Sequence, residues 1–123
     1  CWCALGHEKA LTFVERASSV LVPAIVYGEL YYGFQHGARF EDNARRLDQF
    51  IDTFGIVVIA VDVDVAKRFG DIHAWLRKKG TPIPTNDIWI AACCMSGGGV
   101  LLTADRHFAQ IPQIKAEILS GGV

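Results

Sequence analysis

Residues 20–34 read VLVPAIVYGELYYGF, and this stretch decides the fold class. The β-branched run at residues 20–22 predicts a strand, and Pro23 ends it and opens a helix over residues 24–34. That helix is apolar on most sides, so we expect it to be buried. A strand that passes directly into a buried covering helix is typical of α/β domains.

The rest of the chain alternates in the same way between strand and helix patterns. Apolar residues at helical spacing predict amphipathic helices around residues 44–54 and 65–76, and a largely apolar helix over residues 86–95. The second of these helices begins at Asp62 or Asp64 and ends in three basic residues and a glycine, as the helix dipole favours. Further strands are predicted at residues 56–60, 100–102 and 114–119. We therefore predict a single α/β domain with a parallel sheet.

Composition excludes several classes of protein. The 123 residues are 51% hydrophobic, which argues against disorder, and a chain of this length can bury a core without disulfides or metal. Twelve basic and thirteen acidic residues give a net charge of -1, so the chain is not one that coats nucleic acid or membrane. The net charge does not exclude a nucleic-acid substrate that binds at one local site. The longest apolar stretches, residues 54–61 and 88–95, are shorter than the roughly 18 residues of a bilayer span, and we expect a cytoplasmic protein.

The cysteines and glycines give little support to two common kinds of site. The four cysteines lack the paired spacing of a zinc site, so we expect buried reduced thiols; they are Cys1, Cys3, Cys93 and Cys94. The glycines at residues 97–99 precede a strand, whereas a phosphate-binding loop follows a strand and opens a helix. The glycine run is therefore interpreted as a helix stop, which disfavours a nucleotide-binding domain.

Three acids are predicted to lie at strand-to-helix corners, where ligands bind in open parallel sheets. Glu29 interrupts an apolar helix, Asp87 lies where an apolar helix begins, and Asp105 directly follows a strand. Each has a structural alternative: Glu29 can be exposed or bonded to a tyrosine, Asp87 can cap its helix, and Asp105 can form a turn. Acids gathered on one rim repel one another, and a hard divalent cation such as Mg²⁺ or Mn²⁺ offsets that repulsion.

Three segments carry a resemblance to a known family. Residues 22–30 (VPAIVYGEL), 84–92 (PTNDIWIAA) and 102–112 (LTADRHFAQIP) resemble, in order and spacing, the motifs of PIN-domain ribonucleases, in particular the toxins of VapC type. The likeness runs from about residue 4 to the end of the chain. It implies a three-layer α/β sandwich with a central parallel sheet covered by helices, and a Mg²⁺ or Mn²⁺ site that hydrolyses RNA.

The resemblance also assigns roles to individual residues. It implies that the family's second, third and fourth acids, which hold the metal and carry catalysis, are Glu29, Asp87 and Asp105. Asn86 and Thr103 correspond to polar residues that line the cleft around the metal in the family. Arg106 directly follows the last acid and is a candidate contact for a substrate phosphate. The histidines share no ligand spacing, and we expect surface or packing roles for them; they are His7, His36, His73 and His107.

The family's first acid has no counterpart here. It ends the first strand in the family, whereas the first acid of this chain is Glu8, and residues 1–7 resemble better the helix that follows that strand. We therefore expect residues 1–123 to form one PIN-like domain that is truncated at its amino terminus. The sheet would then be completed by another segment or another chain, and nuclease activity would be weak.

Two functions follow from the sequence. The first is a metal-dependent endoribonuclease of toxin–antitoxin type that cleaves single-stranded or looped RNA, with an antitoxin protein as partner and a homodimer as assembly. The alternative is a catalytically degenerate PIN-like binding module that recognises an antitoxin or another protein. Binding of Mn²⁺ together with RNA cleavage would distinguish the enzyme from the module.

Overall fold

The computed structural model describes residues 20–103 and 105–118, and strands alternate with helices along them as predicted. The elements in chain order are β1 (Leu21–Pro23), α1 (Ala24–Phe34), α2 (Phe40–Thr53), β2 (Val57–Ile59), α3 (Val63–Lys79), α4 (Thr85–Gly97), β3 (Val100–Thr103), a 3-10 helix (Arg106–Gln110) and β4 (Lys115–Ile118). The predicted α/β class is confirmed. The expectation that α1 is buried is wrong, because Val26 is its one buried residue while Tyr31 and Tyr32 are exposed.

Two helix boundaries differ from the sequence prediction by more than one residue. Helix α2 begins four residues before residue 44, because its first turn carries acids that suit a helix N-terminus and one of them, Asp42, pairs with Arg45 at 2.8 Å. Helix α4 continues to Gly97, two residues beyond the prediction. It stops where Gly98 adopts a left-handed conformation (φ 70°), which confirms the glycine run as a helix stop.

The start of α3 resolves the choice between two aspartates. The carboxylate of Asp62 accepts a hydrogen bond from the backbone N–H of Val65 at 2.9 Å and caps the helix. Asp64 instead accepts hydrogen bonds from Arg68 at 2.9 Å and from Ser96 of α4 at 2.8 Å. These two hydrogen bonds, that of Arg68 first, lower the pKa of Asp64. Asp64 thus ties α3 to α4 at the surface.

All strand pairing is parallel, as predicted, and within the described ranges it forms two separate pairs. Strand β1 pairs with β2 in the register Leu21 to Val57, and β3 pairs with β4 in the register Val100 to Lys115. Helix α4 contacts both β1 and β3, so it spans the two pairs. The predicted absence of a first strand concerns residues outside those described and stays a prediction.

Helix α4 is the centre of the core. Six of its residues are buried, namely Ile88, Ile90, Ala91, Ala92, Cys93 and Cys94. It packs along α3, where the rings of Phe69 and Trp89 stack with centroids 3.8 Å apart. The free thiols of Cys93 and Cys94 are buried as predicted, and burial raises the pKa of Cys94 to about 12; Cys1 and Cys3 lie outside the described residues.

In the part of the chain that the structure covers, no helix combines the length and apolarity needed to cross a bilayer.

Candidate metal centre

Asp87 lies in the first turn of α4, close to the helix N-terminus. Pro84 precedes the helix in an extended conformation and accepts the backbone N–H of Asp87 at 3.0 Å, which closes the first turn. A carboxylate at this place is favoured by the helix dipole. The Asp87 side chain keeps 15% of its surface exposed, so its carboxylate is partly shielded from water but still reachable.

Asp105 is held in a tight turn just beyond β3. Its backbone N–H donates to the hydroxyl of Thr103 at 3.0 Å, and its own carboxylate accepts the backbone N–H of His107 at 2.9 Å. The second bond caps the 3-10 helix that begins at Arg106. The turn-forming role considered from the sequence is therefore real, and the oxygen that accepts this bond, Oδ1, is also the one nearest to the His107 ring.

A histidine side chain contacts both of these acids. Nδ1 of His107 lies 3.2 Å from Oδ2 of Asp87 and 3.1 Å from Oδ1 of Asp105. One ligand-type atom of each residue lies within 4.8 Å of the others. The start of α4 and the turn after β3 thus meet at one point, although 18 residues separate the two acids in sequence.

Glu29 reaches the same region through a different contact. Its Oε2 accepts a hydrogen bond from the side-chain amide of Asn86 at 2.7 Å, and Asn86 directly precedes Asp87. Glu29 is exposed on α1, which is one of the structural alternatives considered from the sequence, so its carboxylate carries no cost of burial. Within the described residues, Glu29 is not one of the three residues whose ligand atoms converge.

The remaining predicted site residues occupy contrasting environments. Thr103 is fully buried, and its hydroxyl is used to hold the Asp105 backbone. Asn86 is exposed and engaged by Glu29, and Arg106 is exposed at the start of the 3-10 helix. Sequence reasoning missed His107 as a member of the cluster. The available signal was its place two residues after Asp105, a spacing at which a tight turn returns the side chain toward the acid.

The donor atoms of this cluster fit a divalent cation. Carboxylate oxygens are the usual ligands of Mg²⁺ and Mn²⁺, and a neutral imidazole nitrogen is an additional ligand for transition ions. Such an ion can stabilise charge that develops on a phosphodiester and can activate water. Asp87, Asp105 and His107 together therefore form the candidate metal centre of the described chain.

Comparisons with known proteins find similar sequences and similar folds. The family model described as PIN domain matches residues 5–114. The chain is 34% identical to the tRNA(fMet)-specific endonuclease VapC of Salmonella typhimurium, over 83% of this chain and 76% of that protein. It is 31% identical to Ribonuclease VapC2 of Haemophilus influenzae, over 85% and 79% of the two chains. The crystal structure of DNA-bound VapBC from Salmonella typhimurium superposes with a TM-score of 0.80 at 30% identity, over 95% of this chain and 89% of that one.

Proposed function

Since this chain belongs to the PIN-domain family and, within it, to the VapC ribonucleases, we propose that it is an endoribonuclease of a toxin–antitoxin pair that depends on Mg²⁺ or Mn²⁺. The observation that carries the proposal is the convergence of Asp87 and Asp105, from two distant segments, within 4.8 Å. Two like charges held this close are unfavourable unless something offsets them. A divalent cation held by the two acids would offset the repulsion and would supply Lewis acidity for phosphodiester hydrolysis.

Asp87 and Asp105 would hold the cation directly, and Glu29 is proposed as the third acid of the site. The hydrogen bond from Asn86 fixes the Glu29 carboxylate beside the first turn of α4. An oxygen held there can accept a proton from water or orient it toward a phosphate. We therefore propose that Asn86 orients Glu29, and that its exposed amide also meets substrate.

Two neighbours of Asp105 have different proposed roles. Thr103 positions Asp105 through the hydrogen bond to its backbone, and any effect of Thr103 on substrate binding would pass through that acid. Arg106 is exposed next to Asp105, where its guanidinium can bind a phosphate of the RNA backbone. Binding of this kind would hold the scissile phosphodiester against the carboxylates.

We propose single-stranded or looped RNA as the substrate, because the backbone has to enter a cleft lined by carboxylates together with its cation. A related protein is named a tRNA(fMet)-specific endonuclease, so a tRNA is a sensible first RNA to test. The proposed partner is an antitoxin protein, by analogy with the VapBC complexes. We also propose that the domain formed by residues 1–123 assembles as a homodimer and that it is located in the cytoplasm.

The experiment is RNA cleavage by the purified chain in Mn²⁺ and in Mg²⁺, compared with cleavage in a chelator. Cleavage should be lost in Asp87→Asn, which keeps the shape of the side chain and removes its charge. Asp71→Asn, which removes an exposed acid from α3, is the matched control and should cleave like the parent chain. Binding of an antitoxin without cleavage in any metal would instead support the binding module.

A further inference from the structure

The proposed function assigns no role to the imidazole of His107, although its ring contacts both Asp87 and Asp105. Its Nδ1 lies almost equally far from an oxygen of Asp87 and an oxygen of Asp105, at 3.2 Å and 3.1 Å. We propose that His107 is a further ligand of the divalent cation and that its nitrogen makes this site bind Mn²⁺ more tightly than Mg²⁺. The inference rests on the proposed function, since it concerns the same cation.

The spacing of the three donor atoms supports a shared ion. In an octahedral site with bonds of about 2.1 Å, neighbouring ligand atoms lie about 3.0 Å apart. The two distances from Nδ1 of His107 are close to that value. The oxygens of Asp87 and Asp105 lie within 4.8 Å of each other, so the three donor atoms enclose a space on the scale of one coordinated ion.

The local chain holds His107 in this place. Its backbone N–H is bound by Asp105, and the next residue, Phe108, is 3% exposed and anchors the 3-10 helix in the core. Ile111, at the end of that helix, is 2% exposed and anchors the other side of the turn. The His107 side chain itself is half exposed, so its removal leaves no cavity and should not disturb folding.

The donor type sets the expected preference. Mg²⁺ takes oxygen ligands and water almost exclusively, whereas first-row transition ions also accept imidazole. A neutral imidazole would offer the lone pair of Nδ1 to the ion and leave its Nε2–H facing solvent. A site with one nitrogen among its ligands therefore favours Mn²⁺ relative to a site built from oxygens alone.

The test is titration of the full chain with Mn²⁺ alone, followed by the electron paramagnetic resonance of free Mn²⁺, with Mg²⁺ affinity measured by competition. We expect His107→Ala to weaken Mn²⁺ binding by at least about tenfold, the scale on which neighbours of a metal site act. Mg²⁺ binding should change far less, so the preference for Mn²⁺ falls. Electron spin echo modulation should show a directly coordinated nitrogen in the parent chain and none in the variant.

Two further variants sharpen the result. His73→Ala removes an imidazole that contacts Phe69 on α3, and it should leave both affinities and the nitrogen signal unchanged. His107→Asp replaces nitrogen by oxygen and should shift the preference toward Mg²⁺. Unchanged or tighter Mn²⁺ binding in His107→Ala would overturn the inference, because the imidazole would then be a counterion that the metal displaces. That outcome leaves the proposed function intact, whereas a parent chain that binds neither ion contradicts the proposed function itself.

Discussion

The contact between Asn86 and Glu29 gives the sharpest test of whether the third acid belongs to the site. Asp has the same shape as Asn, so Asn86→Asp replaces the donated hydrogen bond by a contact between two carboxylates. Their nearest oxygens would lie at the 2.7 Å that now separates Asn86 from Glu29. Two unit charges at 2.7 Å repel by about 1.5 kcal/mol in water and by about 6 kcal/mol at an effective dielectric constant of 20. Both side chains are exposed, so the value in water is the better guide.

Loss of the hydrogen bond adds about 1 kcal/mol to that repulsion. The two contributions sum to about 2.5 kcal/mol, and because exposed side chains can move apart, we expect Asn86→Asp to lower the free energy of unfolding by about 2 kcal/mol, and Asn86→Ala by about 1 kcal/mol. For a chain of this length, about 2 kcal/mol corresponds to a fall of roughly 8 °C in melting temperature. The assay is thermal unfolding by circular dichroism at neutral pH in a chelator.

A double-mutant cycle isolates the repulsion. In the background of Glu29→Gln the partner is neutral and can donate to the new aspartate, so Asn86→Asp should cost little. The expected coupling is therefore about 2 kcal/mol. If Asn86→Asp costs the same in both backgrounds, the two side chains do not meet in solution, and the argument that places Glu29 at the site fails.

Three further predictions concern the elements that support the site. Cys93 and Cys94 should resist alkylation at pH 8 in the folded chain and react once urea is added, because both thiols are buried. The raised pKa of Cys94 means that the contribution of this thiol to stability is present below the usual pKa of 9.0 and is lost as the pH rises toward 12. Rapid alkylation of the folded chain, measured by mass spectrometry of the peptide that contains the two cysteines, would contradict this prediction. Asp62→Ala should cost about 1 kcal/mol in urea unfolding through loss of the N-cap, while Asp62→Asn, which also caps, should cost much less. Thr103→Val should lower the free energy of unfolding by about 1–3 kcal/mol, since it leaves the N–H of Asp105 without its acceptor. It should also reduce RNA cleavage more than Thr103→Ser does. Equal cleavage by the two variants would rule out a positioning role for Thr103.

Local patterns in the sequence were sufficient for the fold class and for most element boundaries. The extent of α1 was predicted correctly, because Pro23, the last residue of β1, favours a helix start directly after it. The end of α4 was predicted within two residues, because a glycine run stops a helix through backbone conformation alone. The family motifs are also local patterns, and they identified Glu29, Asp87 and Asp105 as candidate site residues.

Only the tertiary structure decided which side chains meet. The approach of Asp87 to Asp105 depends on how α4 packs against β3, and no periodicity within either segment reports that packing. The same holds for His107, whose ring joins the cluster because Asp105 caps the turn while Phe108 is drawn into the core. Secondary structure follows from interactions between near neighbours in the chain, and so the sequence alone determined it here. The sequence predicted that Asp87 and Asp105 share a rim, but the distances between them and the place of His107 beside them follow from long-range packing, and so they appear only in the folded chain.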